Sequence, residues 1–158
     1  MKFFLVALFL MLTACGFTPV YGDKSLSSSI ASIDVQTIPN RDGQIVRNHL
    51  IDRLYKNGYP SNPDYKLTVS PIQESTVEIG IDRDDEASRA QLRQETTMIL
   101  TDIKTNKPVL NRVIRATSGY NILTGQFTTY ITEEDSRNQA LKALSDNIIT
   151  QLELYFNQ

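Results

Sequence analysis

The last quarter of the chain constrains the fold most. Leu141, Leu144, Ile148, Leu152 and Tyr155 recur at three- and four-residue spacing and draw an apolar stripe along one side of a helix. A stripe of that length cannot face water, so the rest of the chain must supply a surface for it. In front of it, Thr132 with Asp135 reads as a capping box, and Glu133 and Glu134 favour the positive end of the helix dipole.

The surface that the sequence predicts is a sheet. Residues 31–38 alternate, with Ile33, Val35 and Thr37 on one side, and Pro39 ends the run. Asp42 can cap a first helix through about Asn57, with Val46, Leu50 and Leu54 recurring beside Ile51, and Asn57-Gly58 closes it. Residues 64–81 are rich in Leu, Val, Ile and Thr, and Pro71 in their midst marks a bulge or an edge position. Residues 92–105 and 109–123 form a long hairpin turning at Asn106-Lys107-Pro108. Arg112 falls on the apolar side of that hairpin and has to escape to an end or a neighbour. The order β-α-β-β-β-α specifies an α+β fold: a mostly antiparallel four-stranded sheet with two helices packed on one face.

The opening residues carry an address. Lys2 precedes an apolar run from Phe3 to Leu12, a length that suits a signal peptide and falls short of a membrane-spanning helix. Leu12-Thr13-Ala14-Cys15 resembles a bacterial lipobox, which implies removal of residues 1–14 and attachment of a diacylglycerol and an N-acyl chain at Cys15. An ordinary secretory signal followed by a chance cysteine is the alternative. Gly16 after the cysteine, where an aspartate would stand for retention, resembles an outer-membrane address. Residues 15–29, rich in Gly, Pro and Ser, read as a tether, and residues 30–158 as a single domain.

Composition narrows the function. The formal charge is −2, with basic residues spread along the chain, which argues against nucleic acid as a partner. One cysteine permits neither an internal disulfide nor a cysteine-based zinc site. His49 is the single histidine, and an acylated Cys15 leaves it no thiol to activate, so catalysis has no support. The run Asp82-x-Asp84-Asp85-Glu86 lacks the turn glycine and closing glutamate of a calcium loop. No metal or cofactor is expected beyond the lipid at Cys15.

Three stretches together resemble a known family. Cys15-Gly16-Phe17-Thr18-Pro19-Val20-Tyr21-Gly22, then Val46-Arg47-Asn48-His49-Leu50, then the closing amphipathic helix are similar to the lipopolysaccharide-assembly lipoproteins, LptE. The resemblance implies a lipid-anchored protein at the periplasmic face of the outer membrane, its domain a one-to-one plug in the lumen of the β-barrel LptD, aiding delivery of lipopolysaccharide to the cell surface. It also implies a basic residue near a hairpin tip for contact with lipopolysaccharide. Arg83 matches best, with Arg89 and Arg93 close by, the alternative being a solvated loop whose charges pair locally with Asp82, Asp84, Asp85 and Glu86, and residues 127–132 hold none of the second basic position seen in some members. Tyr120, Phe127 and Tyr130, in a loop-rich stretch before the last helix, are candidate barrel contacts, the alternative being that they cover the domain's own core. Two other readings stay open: an accessory lipoprotein of a lipid ABC transporter, and a lipoprotein activator of a peptidoglycan synthase.

Overall fold

The computed structural model describes residues 29–56, 58–79, 89–123 and 125–157. Its elements follow in the order β1 (Ile33–Val35), α1 (Asn40–Leu54), β2 (Tyr65–Val69), β3 (Gln73–Glu78), β4 (Arg89–Asp102), β5 (Lys107–Asn121) and α2 (Gln126–Phe156). The class is the α+β one expected, with five strands where four were predicted. The extra strand comes from Pro71. β2 and β3 lie end to end along the same edge of β4, Leu67 opposite Leu100 and Gln73 opposite Glu95. Between them Ser70 still bonds Thr97 through its amide at 2.9 Å, and Thr96 Oγ1 donates to the Ser70 carbonyl at 2.7 Å. Proline has no amide to give the ladder, so the strand breaks there and resumes with its faces exchanged. Val69 is buried beneath the helices, whereas Val77 and Ile79 point to the opposite side and are exposed.

β4 is the spine of the sheet. It pairs antiparallel with β5 along its whole length, while β1 joins the far side of β2 in parallel through the α1 crossover. The hairpin turn is Ile103–Asn106, earlier than the predicted Asn106-Lys107-Pro108. The Asp102 carboxylate accepts from the Thr105 amide and hydroxyl at 2.7 and 2.9 Å, and Asn106 takes φ 54°, a left-handed conformation that asparagine tolerates. Pro108 is already in β5, opposite Thr101, beside a bulge that skips Val109. An edge strand admits it there.

Both helices pack on one face of the sheet. Ile33, Val35, Leu67, Val69, Met98, Leu100, Ile114 and Ala116 from the strands meet Val46, Leu50 and Leu54 of α1 and Leu141, Leu144, Ile148 and Leu152 of α2 in a continuous core. The predicted stripe is therefore the core face of α2. Other boundaries differ. β1 stops at Val35, and the alternation fails after it, since Thr37 is exposed and Ile38 buried. Asp42 lies in the first turn of α1, after Pro39 at its cap. Gly43 sits against Ile38 so closely that an added Cβ would lie 2.7 Å from its side chain and 2.9 Å from its backbone.

α2 starts at Gln126, six residues before the predicted capping box. Nothing in residues 126–131 breaks a helix, and Thr132 Oγ1 donates to the Thr129 carbonyl one turn back at 2.9 Å. Phe127 and Tyr130 are thus helical residues, not loop residues. Arg112 escapes as expected: it is exposed on the edge strand, and its Nη1 donates to the Asn111 carbonyl at 3.0 Å.

Candidate functional site

Among the described residues no helix lies on the opposite face of the sheet. On it, Asp34, Lys66 and Thr101 form one row, Thr68, Ile99 and Asn111 the next, then Thr97 and Val113, then Gln73, Glu95 and Arg115, and then Ser75, Arg93 and Thr117. This is a polar surface of mixed charge with single apolar residues set into it. Glu95 and Arg115 satisfy each other at 2.6 Å. Arg93, flanked by Ser75 and Thr117, and Arg89, beside Ile79 and Asn121, take part in no ion pair among the described residues. Both are therefore cations available on this face. Arg83 and Cys15 lie outside the described residues, as does the acidic run 82–86.

The three aromatic candidates divide. Phe127 and Tyr130 are 77% and 59% exposed and with Ile131 give the first two turns of α2 an exposed apolar side, Leu123 lying just before the helix, ahead of the first buried residue of the helix, Ser136. This part of α2 is held by hydrogen bonds: Thr129 Oγ1 accepts from the Leu123 amide and donates to its carbonyl, both at 3.0 Å. Tyr120 is half-buried at the end of β5 on the helix side, and burial with Glu133 nearby raises the pKa of its hydroxyl. The structure does not bring Tyr120 onto the exposed patch.

The position of this patch follows from the strand lengths. The first described residues lie at the β4–β5 turn, where the Asp64 amide donates to the Ser32 carbonyl and the Ile103 amide to the Asp64 carbonyl. Arg89, Leu123 and Phe127 lie at the other end of the hairpin. At 3.3 Å per residue, β4 separates the two ends by about 45 Å.

A charge network that the sequence reading missed ties the overhanging part of α2 to the sheet. The Arg137 guanidinium holds Glu74 of β3 at 3.0 Å, Glu133 at 2.8 Å and Glu134 at 2.6 Å, and Glu134 also takes Arg41 of α1 at 2.9 Å. The carboxylates, Glu74 first, push the Arg137 pKa up, and the bond from Arg137 pulls that of Glu134 down. Gln94, fully buried below, donates to Glu74 at 3.0 Å. The i+3 and i+4 spacing of Glu133, Glu134 and Arg137 was legible in sequence; Glu74, 63 residues earlier, was not. His49 is half-buried on α1. Among the described residues no group of three or more acidic, histidine or cysteine side chains could hold a metal.

A family model described as LptE, lipopolysaccharide-assembly, matches residues 29–153. The chain belongs to the LptE family. The match covers every strand and nearly all of α2, including Val46–Leu50 and most of the closing helix, and begins after the Cys15–Gly22 motif. No curated protein matches the chain in sequence. Among solved structures, a protein from Caulobacter crescentus CB15 superposes with a TM-score of 0.63 at 22% identity, over 84% of this chain and 96% of that one. The rare lipoprotein B from Shewanella oneidensis gives 0.60 at 10% identity, over 76% and 92%. A minor lipoprotein from Acinetobacter baumannii gives 0.58 at 17%, over 77% and 90%. At these identities the likeness is one of fold. Membership in LptE assigns the chain to lipopolysaccharide assembly and to a non-enzymatic role.

Proposed function

We propose that this LptE-family chain is an outer-membrane lipoprotein whose domain stands as a one-to-one plug in the lumen of an LptD-type β-barrel and aids delivery of lipopolysaccharide to the cell surface. The observation that carries the reading is the uncovered sheet face. A mostly antiparallel sheet holds one face on its core and can leave the other to water, and a face that is polar and of mixed charge suits the wet, polar interior of a large barrel.

The remaining parts fit that placement. Cys15, acylated after loss of residues 1–14, anchors one end, and residues 15–29 lead to the β4–β5 turn end of the domain. Phe127 and Tyr130, about 45 Å away, are then barrel contacts at the end remote from the anchor. Arg89 and Arg93, with Arg83, offer guanidinium groups suited to the phosphates of lipopolysaccharide. Tyr120, half-buried, is the weakest of the proposed contacts.

The test is affinity purification of tagged full-length protein from detergent-solubilised envelopes. A large outer-membrane barrel recovered in equal amount is expected. Recovery of an inner-membrane transporter or a peptidoglycan synthase in its place would sink the reading. In barrel-depleted cells, Cys15→Ser is expected to move the protein into the soluble fraction; continued membrane retention there would count against acylation.

A further inference from the structure

The sheet has three outward edges, and two of them are blocked. On β1, the Tyr55 hydroxyl donates to the Ile33 carbonyl at 2.8 Å and accepts from the Val35 amide at 2.9 Å, and Arg47 reaches the Val35 carbonyl at 3.3 Å. On β5, the outward carbonyls of Asn111, Arg115 and Asn121 are taken by Arg112, Asn147 and Thr132. Among the described residues that leaves no more than two successive outward positions, Thr117 and Gly119, open on this edge.

β3 is different. The Ile79 amide donates to the Arg89 carbonyl at 2.7 Å, so the odd residues of β3 face β4 and the backbone groups of Glu74, Thr76 and Glu78 point away from the sheet. All six residues of β3 are exposed, and among the described residues nothing bonds those three amides and carbonyls. Three successive open positions complement only another extended backbone. Self-pairing is disfavoured. An antiparallel copy centred on Thr76 sets Glu74 against Glu78, and a parallel one in register sets each glutamate beside itself.

We infer that the outer edge of β3 is a docking site for an extended strand of a partner protein, added as the next strand of the sheet. Charge and polarity describe that strand. Next to Glu78, which is in no ion pair among the described residues, it carries a lysine or arginine on the helix side; next to the exposed Val77 it carries apolar residues on the open side. The inference stands whether or not the chain sits in a barrel.

An end-blocked peptide of alternating valine and lysine, titrated into the full-length chain in detergent, is the probe, with amide hydrogen exchange as the readout. Saturation is expected to slow exchange at Glu74, Thr76 and Glu78 by about tenfold or more, leaving Ser75 and Val77, already bonded to β4, unchanged. Thr76→Pro removes an outward amide, which an edge strand tolerates, and is expected to weaken binding about tenfold or more with the thermal midpoint kept. A valine-glutamate peptide should bind more weakly. Unchanged exchange at the three amides, or equal affinity for Thr76→Pro, overturns the inference. Protection already present without peptide also overturns it, assigning the edge to this chain's own N-terminal segment if the protein is monomeric and to a second copy if protection grows with concentration.

Discussion

Two residues control how the shortest strand and the link after it are held. Among the described residues β1 pairs with one neighbour over three residues, and Tyr55 stands in for a second by bonding Ile33 and Val35 from α1's end. Tyr55→Phe keeps the ring and strips both bonds, leaving a buried amide and carbonyl unpaired. A loss of about 1–3 kcal/mol in denaturant unfolding is expected, because the cost is that of desolvated backbone groups and not of the hydroxyl itself. Gly43 acts by absence. With Ile38 already in contact, Gly43→Ala must push α1 away from the link that joins it to β1, and about 1–3 kcal/mol of destabilisation is expected despite the better helix propensity of alanine. A stabilised Gly43→Ala variant in the same assay would show that the contact yields.

At the scale of the element, α2 is one helix with two regimes. From Ser136 onward it is a core helix; before that it overhangs, pinned by Thr129, Thr132 and the Arg137 network. Truncating Phe127 and Tyr130 to serine is accordingly expected to change unfolding free energy by less than about 0.5 kcal/mol, whereas Leu144→Ala should cost about 2–5 kcal/mol. The two measured side by side separate surface from core on a single helix. Legibility of α2 followed the same division. The stripe from Leu141 to Tyr155 was readable because burial repeats with the helical period. The first turns were not, since Phe127, Tyr130 and Ile131 are held outside any core and a cap-like Thr132 offered a nearer start.

At the scale of the molecule, stability has an acidic and an alkaline limit. Glu134 and Asp102 have pKa values below the ordinary carboxylate range, Glu134 through its bond from Arg137 and Asp102 through bonds from Thr105. Their contribution is complete above that range, about pH 4, and is lost as pH falls through the depressed values. Tyr55, Tyr65 and Tyr120 have pKa values raised first by burial. Their contribution is complete below the ordinary tyrosine value, about 10, and is lost as pH rises through the raised ones. Thermal midpoints are expected to be flat between these limits and to fall outside them. Glu134→Gln should flatten the acid limb and Tyr55→Phe the alkaline one; limbs unmoved by either change would place the titrating groups elsewhere.

The sequence alone determined what local pattern can encode: the alternating strands, the apolar side of the last helix, the α+β class, a break at Pro71, and the N-terminal motif that pointed to the LptE family. It could not decide what that break does. Proline stops a ladder wherever it sits, but only the register against β4 shows that β2 and β3 share one edge with exchanged faces. The same holds for the bare sheet face, for Glu74 meeting Arg137 and for Tyr55 closing β1. Each joins residues distant in the chain, and their proximity is set by the packing of the whole core rather than by any neighbour in sequence.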